Sequence, residues 1–215
     1  MIIGTFNGIN IIGLPCDTMP GVTAPSAIEW NPQSKVGETD ASFGYQSQIF
    51  DWMQSSWFGQ VSFPPMNRWS ADAWATFILE CRGGVNAFML GDPKEALPKG
   101  SPQGVPVVSG AGQTGYSLVT RGWRASQLRL LLYGDQLQIG YRLYRVLGQV
   151  NSDASGNATI PIFPNLRDQP ADATSIVVTN CKGLFRLVSG TANKFSSNPE
   201  SYGNSGFAIR EAGVA

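Results

Sequence analysis

Four carboxylates are the side chains of this sequence best suited to chemistry: Asp51, Asp72, Glu80 and Asp92. A pair of them could hydrolyse a glycoside, one as the acid and one as the nucleophile or base. Nothing in their spacing brings two of them together, however. The sequence also contains no histidine, which excludes Ser-His-Asp and Cys-His nucleophiles and removes the commonest general base. We therefore predict no catalytic residue and no enzymatic activity, with glycan hydrolysis kept as an alternative.

A glycine motif follows an apolar pair of valines. Gly110 to Gly115 satisfies G-x-G-x-x-G, and Val107 and Val108 precede it. Dinucleotide binding requires a helix to begin at this loop, so that its N-terminal amides meet the pyrophosphate. The residues that follow, Tyr116 to Thr120, have a strand pattern instead, and a phosphate-binding P-loop would need lysine at position 116. The motif therefore predicts a glycine-rich turn between two strands.

The metal-binding patterns are incomplete. Residues 151–156 begin like a calcium loop, with oxygen donors at alternate positions and glycine sixth, but the twelfth position is Ile162 where a bidentate carboxylate is required. Cys16, Cys81 and Cys181 are widely spaced and lack Cys-x-x-Cys pairing, which argues against a disulfide framework and a zinc site. We predict an exposed hairpin loop, buried unreactive thiols, and neither a metal-binding nor a cofactor-binding residue.

The charge balance also restricts the partners. Fifteen basic residues balance fifteen acidic residues, and only 14% of the chain is charged, against roughly 25% in ordinary soluble domains. This low charge suggests that another molecule covers much of the surface. Because no cluster of Lys and Arg appears, nucleic acid is not expected as a partner. No apolar run is long enough to insert into a membrane, and the first residues do not resemble a signal peptide, so we expect the chain to stay where it is made.

The elements that must position any site are mostly strands. Frequent Gly and Pro predict an extended N-terminal arm with short strands over residues 1–44. The aromatic-rich segment from Tyr45 to Phe63 predicts two strands joined near Ser55 and Ser56. One helix is predicted over about residues 71–82.

That helix has recognisable ends. Ser70 is a suitable N-cap, and Trp69 before it can pack against Trp74 inside the helix. Gly83-Gly84 ends the helix, because glycine alone adopts the left-handed cap conformation at little cost. Trp52, Trp57, Trp69 and Trp74 could stack on sugar rings, but their density beside the helix favours a core or an interface.

After the helix the pattern is strand, turn and strand. We predict a mainly β fold, an antiparallel β-sandwich or barrel-like domain with one α-helix and extended terminal arms. The predicted organisation is an N-terminal arm over 1–44, a core domain over 45–189 and a C-terminal arm over 190–215. The strands are predicted at Ala87–Leu90, Gln127–Tyr133, Leu137–Ile139, Tyr141–Val150, Thr159–Phe163, Ser175–Thr179, Leu184–Val188 and Phe207–Ile209.

A set of motifs over roughly residues 69–188 resembles the tail-tip structural proteins of tailed bacteriophages, of the distal-tail or minor tail class. None of these motifs is catalytic. They are Phe88-Met89-Leu90-Gly91-Asp92-Pro93, Gly110-Ala111-Gly112-Gln113-Thr114-Gly115 with Gly122-Trp123, Tyr133-Gly134-Asp135-Gln136-Leu137-Gln138-Ile139-Gly140, Leu143-Tyr144-Arg145-Val146-Leu147, Ser152-Asp153-Ala154-Ser155-Gly156-Asn157-Ala158, Ile162-Phe163-Pro164-Asn165-Leu166-Arg167 and Lys182-Gly183-Leu184-Phe185-Arg186-Leu187.

The resemblance implies a structural role. Such proteins form rings, commonly of six subunits, that join the tail tube to the hub and receptor-binding apparatus of the virion. The implied partners are therefore other copies of the chain, the tail tube protein and the hub proteins, after assembly in the host cytoplasm. The alternative function is a carbohydrate-binding module of the virion that contacts the host surface.

Overall fold

The computed structural model describes residues 1–40, 47–188, 195–197, 202–204 and 206–213. Strands account for 48% of the structure and helices for 12%, so the predicted mainly β fold with one main helix is confirmed. The chain forms two compact units, one of Met1–Asn31, Trp57–Gly91 and Lys182–Ala215 and the other of Pro32–Ser56 and Asp92–Cys181. This division differs from the predicted core with two arms, because segments near both termini supply strands to a sheet.

The described residues form two α-helices, α1 (Pro15–Thr18) and α2 (Arg68–Glu80), and two short 3₁₀ turns, Arg82–Gly84 and Pro93–Glu95. Of the strands predicted after the main helix, all except that from Gln127 to Tyr133 have a counterpart. The strands are β1 (Ile2–Phe6), β2 (Ile9–Ile12), β3 (Ala27–Asp40), β4 (Ser47–Ser62), β5 (Ala87–Leu90), β6 (Gly104–Val108), β7 (Gly115–Trp123), β8 (Gln136–Ile139), β9 (Arg142–Val146), β10 (Ala158–Leu166), β11 (Ile176–Val177), β12 (Gly183–Leu187), β13 (Phe195–Ser197), β14 (Tyr202–Asn204) and β15 (Phe207–Glu211).

A seven-stranded sheet, in the order β1-β2-β5-β12-β15-β4-β3, supports the first unit. Its pairs include one parallel pair, β2 with β5, so this sheet is mixed. β1 and β2 come from the predicted N-terminal arm, and Ile11 and Ile12 of β2 are buried. Burial of these side chains stabilises the segment as part of the sheet. β15 lies between β12 and β4, which confirms the predicted strand at Phe207.

Helix α2 packs its apolar face into an aromatic cluster. Trp74 is fully buried, and its ring lies 4.5 Å from that of Phe63. Phe77 lies 5.1 Å from Phe88 of β5, edge to face, a favourable arrangement for aromatic pairs. The indole N–H of Trp74 donates to the carbonyl of Thr23 at 2.9 Å, so the buried polar group is satisfied.

The predicted start of this helix is wrong by one turn. The N-cap is Asn67, whose side-chain oxygen accepts the N–H of Ser70 at 2.9 Å. Ser70 instead accepts the N–H of Thr23, and Trp69 is 63% exposed and makes no staple. The end is correct in kind: α2 stops at Glu80, before a 3₁₀ turn in which Gly83 has a φ of 64°.

The second unit contains a six-stranded sheet in the order β11-β8-β9-β10-β7-β6. Its two edges meet, because Val107 of β6 bridges Ser175 beside β11, and the N–H of Val108 donates to Thr174. Closure removes free sheet edges, and the predicted antiparallel, barrel-like architecture is confirmed. The interior is filled by buried apolar side chains, among them Leu118, Leu130, Leu131, Leu137, Val146, Ile160, Ile162 and Ile176.

The predicted strand from Gln127 to Tyr133 is wrong, since this segment is an irregular loop. Arg129 has a φ of 54°, which takes the backbone out of the extended region. The carboxylate of Asp135, itself buried, accepts the N–H groups of Leu132 and Lys99, each at 2.8 Å. The bond to Lys99, a residue distant in sequence, helps to fix the loop.

The predicted break near Ser55 and Ser56 is also wrong, because β4 runs through it without interruption. Ser55 is buried, and its hydroxyl donates to the side-chain oxygen of Asn165 at 2.6 Å. The backbone N–H of Ser55 donates to the same oxygen at 3.1 Å. Ser55 therefore anchors β4 to β10. Of the predicted C-terminal arm, residues 190–194, 198–201, 205, 214 and 215 lie outside the described residues.

Candidate interaction surface

The four candidate carboxylates are engaged in separate contacts. Asp51 accepts the N–H of Met53, and Asp92 accepts the N–H of Lys94, each within its own turn. Asp72 forms an exposed ion pair with Arg68 on α2, with 3.5 Å between Nε and Oδ2. Glu80, on the same helix, pairs with the N-terminal ammonium group. These contacts do not bring an acid and a base together around a common cleft.

The glycine motif forms the turn between β6 and β7, as predicted. Gly110, Gly112 and Gly115 all have positive φ, a region that glycine enters without steric cost. The N–H of Gly110 donates to the carboxylate of Asp172 at 2.7 Å, and the guanidinium of Arg121 donates to the same carboxylate at 3.0 Å. These two bonds, that from Arg121 foremost, hold the pKa of Asp172 below its usual value. The turn is thus held in place by Asp172, a residue of the same unit.

The calcium-like segment is the exposed loop between β9 and β10. Asp153 accepts the N–H groups of Asn157 and Ser155, each at 2.8 Å, and these bonds lower the pKa of its carboxyl group. The carboxylate therefore serves its own turn. Within the described residues, no group of three or more His, Cys, Asp or Glu side chains could hold a metal ion.

The cysteines are unpaired thiols. Cys81 and Cys181 are buried, as predicted, whereas Cys16 is half-buried. Burial raises the pKa of Cys81 and of Cys181 to about 12, and that of Cys16 to about 11. Because the thiolate is the reactive form, none of the three is activated as a nucleophile.

The tryptophans divide into two groups. Trp57 and Trp74 are buried in the first unit, which agrees with the predicted core role. Trp69 on α2 and Trp52 on β4 are more than three-fifths exposed. Exposure of an indole to water is unfavourable in free energy, and exposed indoles are typical of surfaces that bind another molecule.

Trp52 belongs to a two-stranded ribbon, formed by residues 32–40 of β3 and 47–56 of β4. The two strands are neighbours in the sheet, and both are far longer than the usual five or six residues. Almost every described side chain of the ribbon is exposed. The large apolar ones are Val36, Ile49, Phe50, Trp52 and Met53, each between 50% and 66% exposed.

One edge of the ribbon is fixed to the barrel. The hydroxyl of Tyr116 on β7 donates to Asp51 at 3.1 Å, and Ser55 bonds to Asn165 as described above. Because side chains alternate along a strand, Phe50 and Trp52 point away from the face on which Asp51 meets Tyr116. The outward face of the ribbon, defined here by Val36, Phe50 and Trp52, is therefore free of contacts with β7.

An open groove of about 420 Å³ lies on this outward face. The indole of Trp52 lies so close to Gly37 that an added Cβ would be 2.9 Å from its Nε1. Because Gly37 has no side chain, the indole packs directly against its backbone. This contact sets the orientation of the indole and leaves most of it accessible. The groove is lined by Ser34, Lys35, Val36, Trp52 and Gln54.

Sequence reasoning missed this ribbon. It placed a break at Ser55 and assigned residues 1–44 to an arm, so the two strands were not expected to pair. The available signal was the apolar density of Ile49, Phe50, Trp52 and Met53, which only Asp51 interrupts. That pattern is unusual for a strand with one solvated face.

A scan against protein-family models gave no match, and neither did a search of curated proteins. In the described part of the chain, no helix has the length and apolar character needed to cross a membrane.

Proposed function

We propose that this protein is a non-enzymatic building block of a bacteriophage tail tip, assembled into a homo-oligomeric ring in the virion. The observation that carries the proposal is the ribbon of residues 32–40 and 47–56, which presents five large apolar side chains to solvent. A two-stranded ribbon is only marginally stable in water. Contact with another protein would bury its apolar surface and complete its structure.

The rest of the molecule supports a role in assembly. The barrel gives a rigid base, because its edges are closed and its interior is filled with aliphatic side chains. The carboxylates and thiols that could take part in catalysis are either bonded to other groups of the chain or shielded by burial. The motifs that resemble tail-tip proteins fall largely on turns and strands of this framework, as at Gly110 and Asp153. Such a framework supplies geometry to an assembly.

In this proposal the ring joins the tail tube to the hub and receptor-binding apparatus. Its partners are further copies of the chain, the tail tube protein and the hub proteins. A ring of identical subunits uses two different faces on each copy, and the angle between those faces determines closure.

The test is the mass of the purified full chain in solution. We expect size-exclusion chromatography with multi-angle light scattering to give a discrete multiple of 23.1 kDa, independent of loading over a wide range. Addition of the tail tube or hub protein of the same phage should give a larger complex. A strict monomer at high concentration that also fails to join those partners would refute the proposal.

A carbohydrate-binding module is the second candidate, and one observation favours it. Trp52 offers an exposed indole face beside the polar side chains of Ser34, Lys35 and Gln54, and indoles stack on sugar rings. Titration with host polysaccharide distinguishes the two functions. Binding that Trp52→Ala abolishes, without a change in oligomeric mass, would support the carbohydrate function.

A further inference from the structure

We propose that the outward face of the ribbon docks onto a basic loop surface of a second copy of this chain. The inference rests on the proposed function, because it names the contact from which the ring would be built. It is drawn from two exposed surfaces in the second unit that are complementary in charge and in apolar character.

The first surface is acidic and aromatic. Glu38 and Asp40 follow Val36 at intervals of two, so a regular strand places all three on one face. Trp52 and Phe50 contribute exposed rings to the outward face. The charged groups of the ribbon are Glu38, Asp40 and Asp51 against Lys35. Because Asp51 faces Tyr116, the carboxylates available to the outward face are those of Glu38 and Asp40.

The second surface is formed by two loops that run side by side, residues 98–103 and 124–129. The N–H of Ser101 donates to the carbonyl of Arg129 at 3.2 Å, and the N–H of Arg124 donates to that of Gln103 at 2.9 Å. The amide of Gln127 also donates to the carbonyl of Ser101. Backbone and side-chain bonds therefore hold the two loops as one surface, called the loop surface below.

The loop surface is basic with an apolar centre. Lys99, Arg124 and Arg129 are exposed, and neither loop contains an acidic residue. Leu128 lies between the two arginines in sequence and is 74% exposed. Two acidic residues bond to the loops: the buried carboxylate of Asp135 accepts the N–H groups of Lys99 and Gly100, and the carbonyl of Asp153 accepts the N–H of Ser126 while its carboxylate serves its own turn.

The two surfaces suit each other chemically. Arginine guanidinium groups stack on indole and phenyl faces and pair with carboxylates, so Arg124 and Arg129 can meet Trp52 and Glu38 together. Leu128 supplies apolar area opposite the aromatic rings. Trp, Phe, Met and Arg are also the residues most enriched at protein interfaces.

The contact must lie between copies. The ribbon and the loop surface belong to the same unit, and both are exposed in the structure of one chain. The ribbon of one chain therefore does not cover the loop surface of the same chain. Two different faces that fit each other generate a head-to-tail association, which closes into a ring or continues as a filament.

Charge reversal tests this contact. One variant carries Glu38→Lys with Asp40→Lys, and a second carries Arg124→Glu with Arg129→Glu. Each variant alone should weaken self-association by at least about tenfold, because like charges would then face each other. A chain that carries all four reversals, or an equal mixture of the two variants, should regain association in sedimentation velocity experiments.

The matched control exchanges the exposed pair on α2, as Arg68→Glu with Asp72→Lys, and should leave the mass distribution unchanged. Circular dichroism on every variant checks that the fold is retained. A wild-type oligomer whose mass neither reversal alters, or whose loss the combined reversals do not restore, would overturn this inference and leave the proposed ring standing. A wild-type chain that stays monomeric would overturn both. Variants that assemble normally but lose polysaccharide binding would assign the ribbon to a glycan.

Discussion

At the scale of single residues, the polar side chains that could take part in chemistry form bonds that hold nearby turns and loops in place. Asp172 is typical, because one of its oxygens receives the N–H of Gly110 and the other the guanidinium of Arg121. Asp135 similarly receives three backbone N–H groups, those of Lys99, Gly100 and Leu132. The functional consequence is a set of rigid turns around the barrel.

We expect Asp172→Asn to lower the melting temperature at neutral pH and to remove part of its acid dependence. The folded state lowers the pKa of this carboxyl group. Its stabilisation is therefore fully present above the unfolded pKa of about 3.9 and is lost as the pH falls through the lower, folded value. Thermal melts of both chains between acidic and neutral pH provide the measurement. Identical curves at pH 7 would contradict this role for Asp172.

The thiols should be inert in the folded chain. Burial raises the pKa of Cys81 and Cys181 to about 12 and that of Cys16 to about 11, so very little thiolate exists at pH 8. An aromatic disulfide reagent should react at least about a hundredfold more slowly with the native chain than with the chain in guanidinium. In guanidinium all 3 thiols should react. Prompt reaction of a buried thiol in the native chain would show that its surroundings open readily.

At the scale of elements, α2 and the ribbon show what local sequence could and could not predict. Gly83 and Gly84 follow the end of the helix, close to the predicted place, but α2 stops at Glu80 and Arg82, with a φ of 48°, already leaves the helical region. The start was misplaced because Asn67 and Ser70 are both competent caps, and the contact of Ser70 with Thr23 decides between them. That contact links residues 47 positions apart, beyond the reach of a local pattern.

The same reasoning explains the errors around β4 and the Gln127 to Tyr133 loop. Ser55 stays in a strand because Asn165, 110 positions away, accepts both its N–H and its hydroxyl. Two adjacent serines normally indicate a turn, so the interpretation was reasonable but incomplete. The glycine motif and the Asp153 loop were predicted correctly, because turn chemistry is confined to a few neighbouring residues. The ribbon, the central part of the candidate surface, arises from long-range pairing and was missed.

The cap assignment has a direct test. Asn67→Ala should lower the free energy of unfolding by about 1 kcal/mol, since the first turn of α2 loses a side-chain acceptor. Asn67→Asp should retain most of the stability, because aspartate is an equally good cap. Urea unfolding followed by tryptophan fluorescence measures both. An unchanged midpoint for Asn67→Ala would mean that the bond to Ser70 contributes nothing to folding.

At the scale of the whole molecule, the buried and the exposed apolar side chains lie in different places. Each compact unit has its own sheet and its own buried core, while five of the exposed large apolar side chains lie together on one ribbon. The low charged fraction, 14% of the chain, agrees with a surface that becomes covered on assembly. The proposed ring explains both features with a single contact repeated around an axis.

Negative-stain electron microscopy of the purified full chain tests this claim most directly. We expect class averages of closed rings with rotational symmetry and a central opening, in one predominant subunit number. We also expect that Glu38→Lys with Asp40→Lys disperses those rings while circular dichroism stays unchanged. Fields of single particles the size of one chain, at concentrations where tail proteins assemble, would contradict the account.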